Sequence, residues 1–351
     1  MVSHPDPRPR VTAALRRFTE SRIDVLRRLD DELAPFARIA ADILLREGKQ
    51  LRPSFCYWGW RGAGGPDCDP IIAAAAALEL LHAGALVHDD VMDDSATRRG
   101  GPTAHRMFAR LHEAEGRCGD PSRFGRSAAV LLGDLFLTWS DELLATSGMP
   151  ADALVRAWPA FGLMRTELTA GQYLDLTSQA DPGDPARARF VARYKTARYT
   201  VVRPLQLGGL LADASRELLA CYAAFGQPLG EAFQLRDDVL GLFGDPAVTG
   251  KPVGDDLRDG RGTGLLALAL SRAAPADRAR LRSLAGQPHL DAAGLAEARR
   301  IIVASGALEA AEAEITERTR MALDALARIG LDDQTTAALT GLAQAATARH
   351  S

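Results

Sequence analysis

The chain has 351 residues, 47% hydrophobic and 25% charged, with 42 Lys plus Arg against 45 Asp plus Glu for a formal net charge of −3. That composition excludes disordered, collagen-like and disulfide-stapled chains, and the length is enough to bury a sizeable core. The near-neutral balance argues against nucleic acid as a partner. Four widely spaced cysteines without a C-x-x-C pair read as reduced thiols of a cytoplasmic protein rather than a zinc site.

Residues 1–10 are polar and hold three prolines, so they lack the apolar core of a signal peptide and read as a flexible lead-in. From there, apolar residues at three- and four-residue spacing predict helices over 11–34, 36–47, 70–92, 103–115, 125–147, 151–178, 186–203, 215–243, 262–273 and 305–328. Glycine- and proline-rich breakers separate them at 62–70, 116–121, 148–150, 181–185 and 244–254. The most apolar stretch, 71–87, is mostly alanine and is interrupted by Glu79 and His82, which suits a buried helix better than stable membrane insertion. Residues 275–351 read as alanine-rich amphipathic helices without evident chemistry. No alternating β-branched run calls for a sheet. The expectation is a single all-α domain over 1–351, a bundle of ten or more helices around a central cavity.

Two acidic clusters carry the chemistry. Residues 78–105 read LELLHAGALVHDDVMDDSATRRGGPTAH, in which Asp89 and Asp93, and likewise Asp90 and Asp94, stand four apart on one helix. Like charges at that spacing repel by a few tenths of a kcal/mol per pair, roughly. A cation relieves the repulsion, and oxygen-only donors suit Mg²⁺ shared with substrate phosphates. Arg98 and Arg99 follow within two turns and suit phosphate oxygens. The second cluster, Asp237 and Asp238, ends another apolar helix 148 residues after the first and precedes a glycine-rich loop with Lys251. Two such pairs could clamp a diphosphate through bridging metals in a bundle core. Asparagine is absent, and only Lys49, Lys195 and Lys251 are lysine, so each surviving lysine marks a place where a compact ammonium is wanted.

These motifs, in this order, closely resemble the trans-isoprenyl diphosphate synthases from about residue 48 to 268. Residues 48–53 (GKQLRP) resemble the family's G-K-x-x-R-P, 89–93 (DDVMD) its first aspartate-rich motif, and 98–100 its R-R-G. Residues 171–176 (GQYLDL) resemble G-Q-x-x-D-L, 195–196 K-T, and 233–238 (FQLRDD) the start of the second aspartate motif. The resemblance implies an isoprenoid-synthase-type all-α fold, usually a homodimer, and a Mg²⁺-dependent condensation of isopentenyl diphosphate with an allylic diphosphate. By the same resemblance Asp89, Asp93 and Asp237 would ligate Mg²⁺, as a three-ion cluster, with Asp90 and Asp238 in support. Arg98, Lys195, Thr196, Gln234 and Lys251 would hold the allylic diphosphate, and Lys49, Arg52, His82 and Arg99 that of isopentenyl diphosphate. His88 matches no such position. Two departures stand out: Gly241 replaces the third aspartate of the second motif, for which Asp245 could substitute if the helix continued, and Arg261 stands where the family usually has lysine.

Chain length is read from the helix before Asp89. One turn is about 5.4 Å, roughly one isoprene unit, so Ala85 and Gly84, then Leu81, then Leu78 form a ruler, with Phe136 or Trp139 as a deeper floor. In the family an aromatic residue at the first position commonly marks shorter products. Small residues there favour geranylgeranyl diphosphate, with farnesyl and C25 products as alternatives, and imply that Gly84→Phe shortens the product. Close helix packing is the competing explanation for Gly84. Two other classes of function would leave different marks in the sequence. A class I terpene cyclase needs a second metal motif whose one match, Asp134, Thr138 and Glu142, lies only 45 residues after the first cluster. A non-catalytic subunit of a heteromeric synthase should have lost aspartates that are present here.

Overall fold

The structure, a computed structural model, describes residues 6–46, 48–178, 182–245 and 253–347. Helices α1 (Arg8–Leu29) and α2 (Ala34–Leu45) lead into α3 (Leu51–Gly62) and α4 (Asp69–Met92). Then come α5 (Ala104–Ala114), α6 (Pro121–Ala145) and α7 (Ala151–Ser178). A continuous helical stretch follows, built from α8 (Pro185–Val191), a π-helical segment (Ala192–Val202) and α9 (Arg203–Leu211). Helix α10 (Arg216–Phe243) precedes α11 (Gly264–Arg272), α12 (Pro275–Leu284), α13 (Ala292–Ala304), α14 (Ala307–Ala327) and α15 (Asp333–Thr347). The all-α expectation holds, apart from a two-residue hairpin pairing Thr97 with Pro102 and Arg98 with Gly101. Its turn, Arg99-Gly100, takes positive φ at both positions (51° and 71°), as a two-residue hairpin demands.

Helix α3 had no periodic signal because it is buried on every side: Leu51 and residues 53–60 are all buried. A helix without a polar face shows no amphipathic stripe. Pro53 sits in its first turn, where the missing N–H is no loss. Helix α4 is long and apolar enough to span a bilayer, but 67% of its apolar window is buried inside the fold, as a core helix should be. It packs chiefly along α6, whose Ser140 hydroxyl donates to the Ala77 carbonyl at 2.7 Å.

Two apolar cores form among the described residues. The larger gathers α1–α7, the π segment, α9, the first half of α10 through Leu229, the last part of α14 and α15. The smaller gathers Ala232, Leu235, Val239 and Leu242 of α10 with α11, α12, α13 and the start of α14. Helix α10 thus runs from one core into the other, and Pro228 interrupts its hydrogen-bond ladder near the crossing.

Candidate active site

The site forms where the C-terminal end of α4 meets α7, the π segment, α10 and the loop before α11. On α4, His82, Ala85, Leu86, Asp89 and Asp93 are partly accessible, while Leu78 and Leu81 are fully buried. Spacings of three and four residues put the accessible set on one helix face. That face turns toward Lys195, and the opposite side packs on α6.

Cations interleave the first acidic cluster. Arg98 donates from Nε to Asp90 Oδ1 at 2.7 Å and from Nη2 to Asp89 Oδ2 at 3.1 Å. Gln172 Nε2 donates to Asp89 Oδ1 at 2.8 Å, and Lys195 Nζ lies 3.3 Å from the same oxygen and 2.6 Å from Asp175 Oδ2. Arg261 pairs with Asp93 and reaches within 4.0 Å of Asp175 and 3.7 Å of Asp256. Burial opposes the charge on Lys195, yet Asp89 and Asp175 hold its pKa above the usual value. Arg261 is held up in the same way, burial being outweighed by Asp93 and Asp256. For Asp93, burial and then the Asp89 charge push the carboxyl up to about 6, against Arg261.

Close backbone approach makes this arrangement possible. A Cβ on Gly171 would lie 2.6 Å from the Lys195 backbone nitrogen, so only glycine lets α7 meet the π segment and bring Gln172 and Asp175 beside Lys195. The wide π turn points Lys195, Thr196, Tyr199 and Thr200 inward together. Such turns favour functional sites.

On α10, Thr196 Oγ1 donates to Gln234 Oε1, and Gln234 Nε2 donates to Asp238 Oδ1 at 2.8 Å. The Gly264 backbone N–H donates to Asp238 Oδ2 at 2.7 Å. Burial pushes the Asp238 carboxyl up to about 7; Gln234 opposes this, and Asp256 and Asp237 add to it. Helix α10 ends at Phe243, so Asp245 is not on it and cannot replace the third aspartate in the way expected. The space beside Gly241 holds a different carboxylate: a Cβ there would lie 3.3 Å from Asp256 Oδ2. Asp175, Lys195, Thr196, Gln234, Asp238 and Arg261 line one cleft.

A second basic group lies behind the first. Arg52 donates to Thr200 Oγ1 at 2.8 Å, and its guanidinium stacks 4.3 Å from the Tyr199 ring centre. The Tyr199 hydroxyl lies 3.5 Å from His82 Nδ1. Arg99 rests against Gly48 and has its pKa lowered by burial and by Arg52, Arg98 and Arg46, with Glu79 opposing. Burial raises the Glu79 pKa against the pull of Arg52 and Arg99. Mutually repelling arginines around one buried carboxylate leave a surplus of positive charge that favours an anion. Lys49 is exposed on the adjoining loop, and Lys251 lies outside the described residues.

Sequence reasoning passed over Gln172, Asp175, Tyr199, Thr200 and Glu79 as site residues and set Arg261 aside. It misplaced Gly84. A Cβ there would lie 2.9 Å from the Gly133 carbonyl and 3.1 Å from Leu137, so Gly84 is where α4 touches α6 and does not open on a tunnel. Leu78 and Leu81, buried at 0% and 1% exposure in the larger core with Phe136 and Trp139, border no open space either. Ala85 alone of the four ruler residues is on the accessible face. His88 docks on α6, with Nε2 3.1 Å from the Val130 carbonyl. Asp134, Thr138 and Glu142 serve α6 itself and its contacts with His88 and Arg22.

The donor set fits Mg²⁺. Its ligands are hard carboxylate oxygens, and the buried Asp93 carboxylate already holds one cationic partner, Arg261. Among the described residues no three His, Cys, Asp or Glu side chains close on a point by themselves. A cation held by one or two carboxylates and completed by phosphate oxygens matches that layout.

The family model for polyprenyl synthetase matches residues 34–302. A short chain isoprenyl diphosphate synthase of Methanothermobacter thermautotrophicus is 29% identical over 316 residues, 89% of this chain and 90% of that one. The geranylfarnesyl diphosphate synthase of Aeropyrum pernix is 33% identical over 80% of this chain and 84% of its own. A crystal structure of geranylgeranyl pyrophosphate synthase from Corynebacterium glutamicum, complexed with isoprenyl diphosphate and magnesium, superposes with a TM-score of 0.94. It is 37% identical, with 98% of each chain covered.

Proposed function

This chain belongs to the polyprenyl synthetase family and is a prenyltransferase that makes prenyl diphosphates; on that premise we propose that its product is geranylgeranyl diphosphate. The substrates are isopentenyl diphosphate and an allylic diphosphate, in a single-domain cytoplasmic enzyme. Farnesyl and C25 products are the alternatives, since the relatives named above make chains of different length.

The observation that supports the condensation, as distinct from its product length, is the pair of adjoining basic clusters around Lys195 and around Arg52. In the first, Lys195, Arg98, Thr196 and Gln234 hold the allylic diphosphate, and the family resemblance adds Lys251. Asp89, Asp93 and Asp237 would ligate Mg²⁺, three ions by the family resemblance, with Asp90 and Asp238 in support. Mg²⁺, when bound, neutralises the diphosphate as a leaving group. Arg98 and Lys195 add fixed positive charge where negative charge grows as the C1–O bond breaks. Asp175, Asp90 and Gln172 keep those side chains in place. In the second pocket, Arg52, Arg99, His82 and Lys49 hold isopentenyl diphosphate with its double bond toward the allylic carbon. The new bond forms between the two pockets, and the proton leaves to the departed diphosphate. The small Ala85 leaves room for the growing tail.

Incubation with isopentenyl diphosphate, Mg²⁺ and each allylic primer, followed by chromatography of the dephosphorylated prenols, tests the reading. A C20 end product supports it, and a C15 or C25 end product replaces the chain length. Absence of elongation overturns the assignment of the two pockets.

A further inference from the structure

Arg236 is 7% exposed, although it stands next to Asp237 and Asp238 on a helix bordering the site. Its guanidinium grips Glu312 of α14 with two hydrogen bonds of 2.6 and 2.7 Å, and its Nε donates to the Thr347 carbonyl of α15 at 3.0 Å. The fork-on-carboxylate geometry fixes direction as well as distance. The third bond ties the guanidinium to the backbone of α15. Nothing in the reaction needs a cation there, since Arg236 is directed away from the cleft residues toward α14 and α15.

Its position explains its use. Asp237 and Asp238 ride on the part of α10 that belongs to the smaller core, whereas Asp89 and Asp93 ride on α4 in the larger core. Pro228 weakens the backbone ladder joining the two halves of α10. Helix α15 belongs to the larger core through Leu339, Ala343 and Ala346. We propose that Arg236 is a positioning residue: its bond to Thr347 braces the second aspartate pair against the larger core and sets its distance from the first, and its paired bonds to Glu312, on the part of α14 in the smaller core, hold the guanidinium in line for that brace. The proposal rests on Asp237 being a Mg²⁺ ligand.

The experiment uses the full chain, with Mg²⁺ and inorganic pyrophosphate as probes, and reads the Mg²⁺ concentration needed for half of the pyrophosphate-dependent thermal shift. Arg236→Gln is expected to raise it about tenfold, the scale typical of groups that orient metal ligands. Glu312→Gln, at a half-exposed carboxylate, is expected to move it in the same direction by less, and the double variant to add nothing beyond Arg236→Gln. A brace that matters only for folding would lower the ligand-free melting temperature and leave the Mg²⁺ midpoint alone, and that result overturns the proposal. Asp237→Asn is the control. If it shifts the midpoint and the Arg236 and Glu312 variants do not, the brace is wrong. If Asp237→Asn shifts nothing, the metal assignment beneath it is wrong. Should Arg236→Gln fail to fold, Glu312→Gln decides alone.

Discussion

Arg261, in the loop before α11, is ion-paired with Asp93 at the end of α4 and so ties the two sides of the cleft together. It also stands 3.5 Å from Asp259, 3.7 Å from Asp256 and 4.0 Å from Asp175, so four carboxylates surround one guanidinium.

Arg261 is therefore expected to matter more than a loop residue should. Arg261→Gln should lower kcat by about a hundredfold, the scale of removing one charge-stabilising donor. Arg261→Lys keeps the charge but loses the fork, and should fall between that variant and the wild type. Steady-state kinetics with saturating Mg²⁺ checks the order, and equal losses in both variants would contradict it.

Asp238 carries a pH signature. Burial raises its carboxyl from an ordinary value of 3.8 to about 7 in the folded protein. Between those values the folded chain holds a proton that the unfolded chain has released, so folding stability falls as pH rises from about 4 to about 7. Asp238→Asn removes this dependence. Without Mg²⁺, the melting temperature of the variant minus that of the wild type should climb across the same window, and a constant difference would contradict the assignment.

The ruler on α4 reduces to one residue. Ala85→Phe, on the face shared with His82 and Asp89, should shorten the product, read by chromatography of the prenols. Gly84→Ala should leave product length unchanged and destabilise the fold by about 1–3 kcal/mol, because its methyl meets the α6 backbone. Denaturant unfolding measures the second effect. The opposite pattern would restore Gly84 to the tunnel.

The second pocket is tested through Arg52. Arg52→Gln should raise the KM for isopentenyl diphosphate by about 10–100-fold, the equivalent of one lost charge-assisted hydrogen bond. The KM for the allylic primer should stay close to the wild-type value. Equal effects on both would merge the two pockets into one.

Much of this site was legible before the fold. The four-residue spacing of Asp89 and Asp93 already placed them on one helix face, and the scarcity of lysine pointed to Lys195. What the sequence could not convey depends on contact. The phase of Thr196, Tyr199 and Thr200 is set by π turns that leave no mark in composition. Glu79 looks like any helical glutamate until Arg52 and Arg99 are brought over it. A small residue such as Gly84 is equally consistent with a tunnel wall and a helix contact, and only the α6 carbonyl beside it decides.

The most direct test of the two-cluster account is anomalous diffraction from crystals grown with Mn²⁺ and an allylic diphosphate. The account predicts metal peaks at about 2.1 Å, the octahedral ligand distance typical of Mg²⁺, from Asp89 or Asp93 and from Asp237, all bound to the oxygens of a single diphosphate beside Lys195. Metal confined to the α4 carboxylates, with Asp237 bound to none of it, would contradict that account.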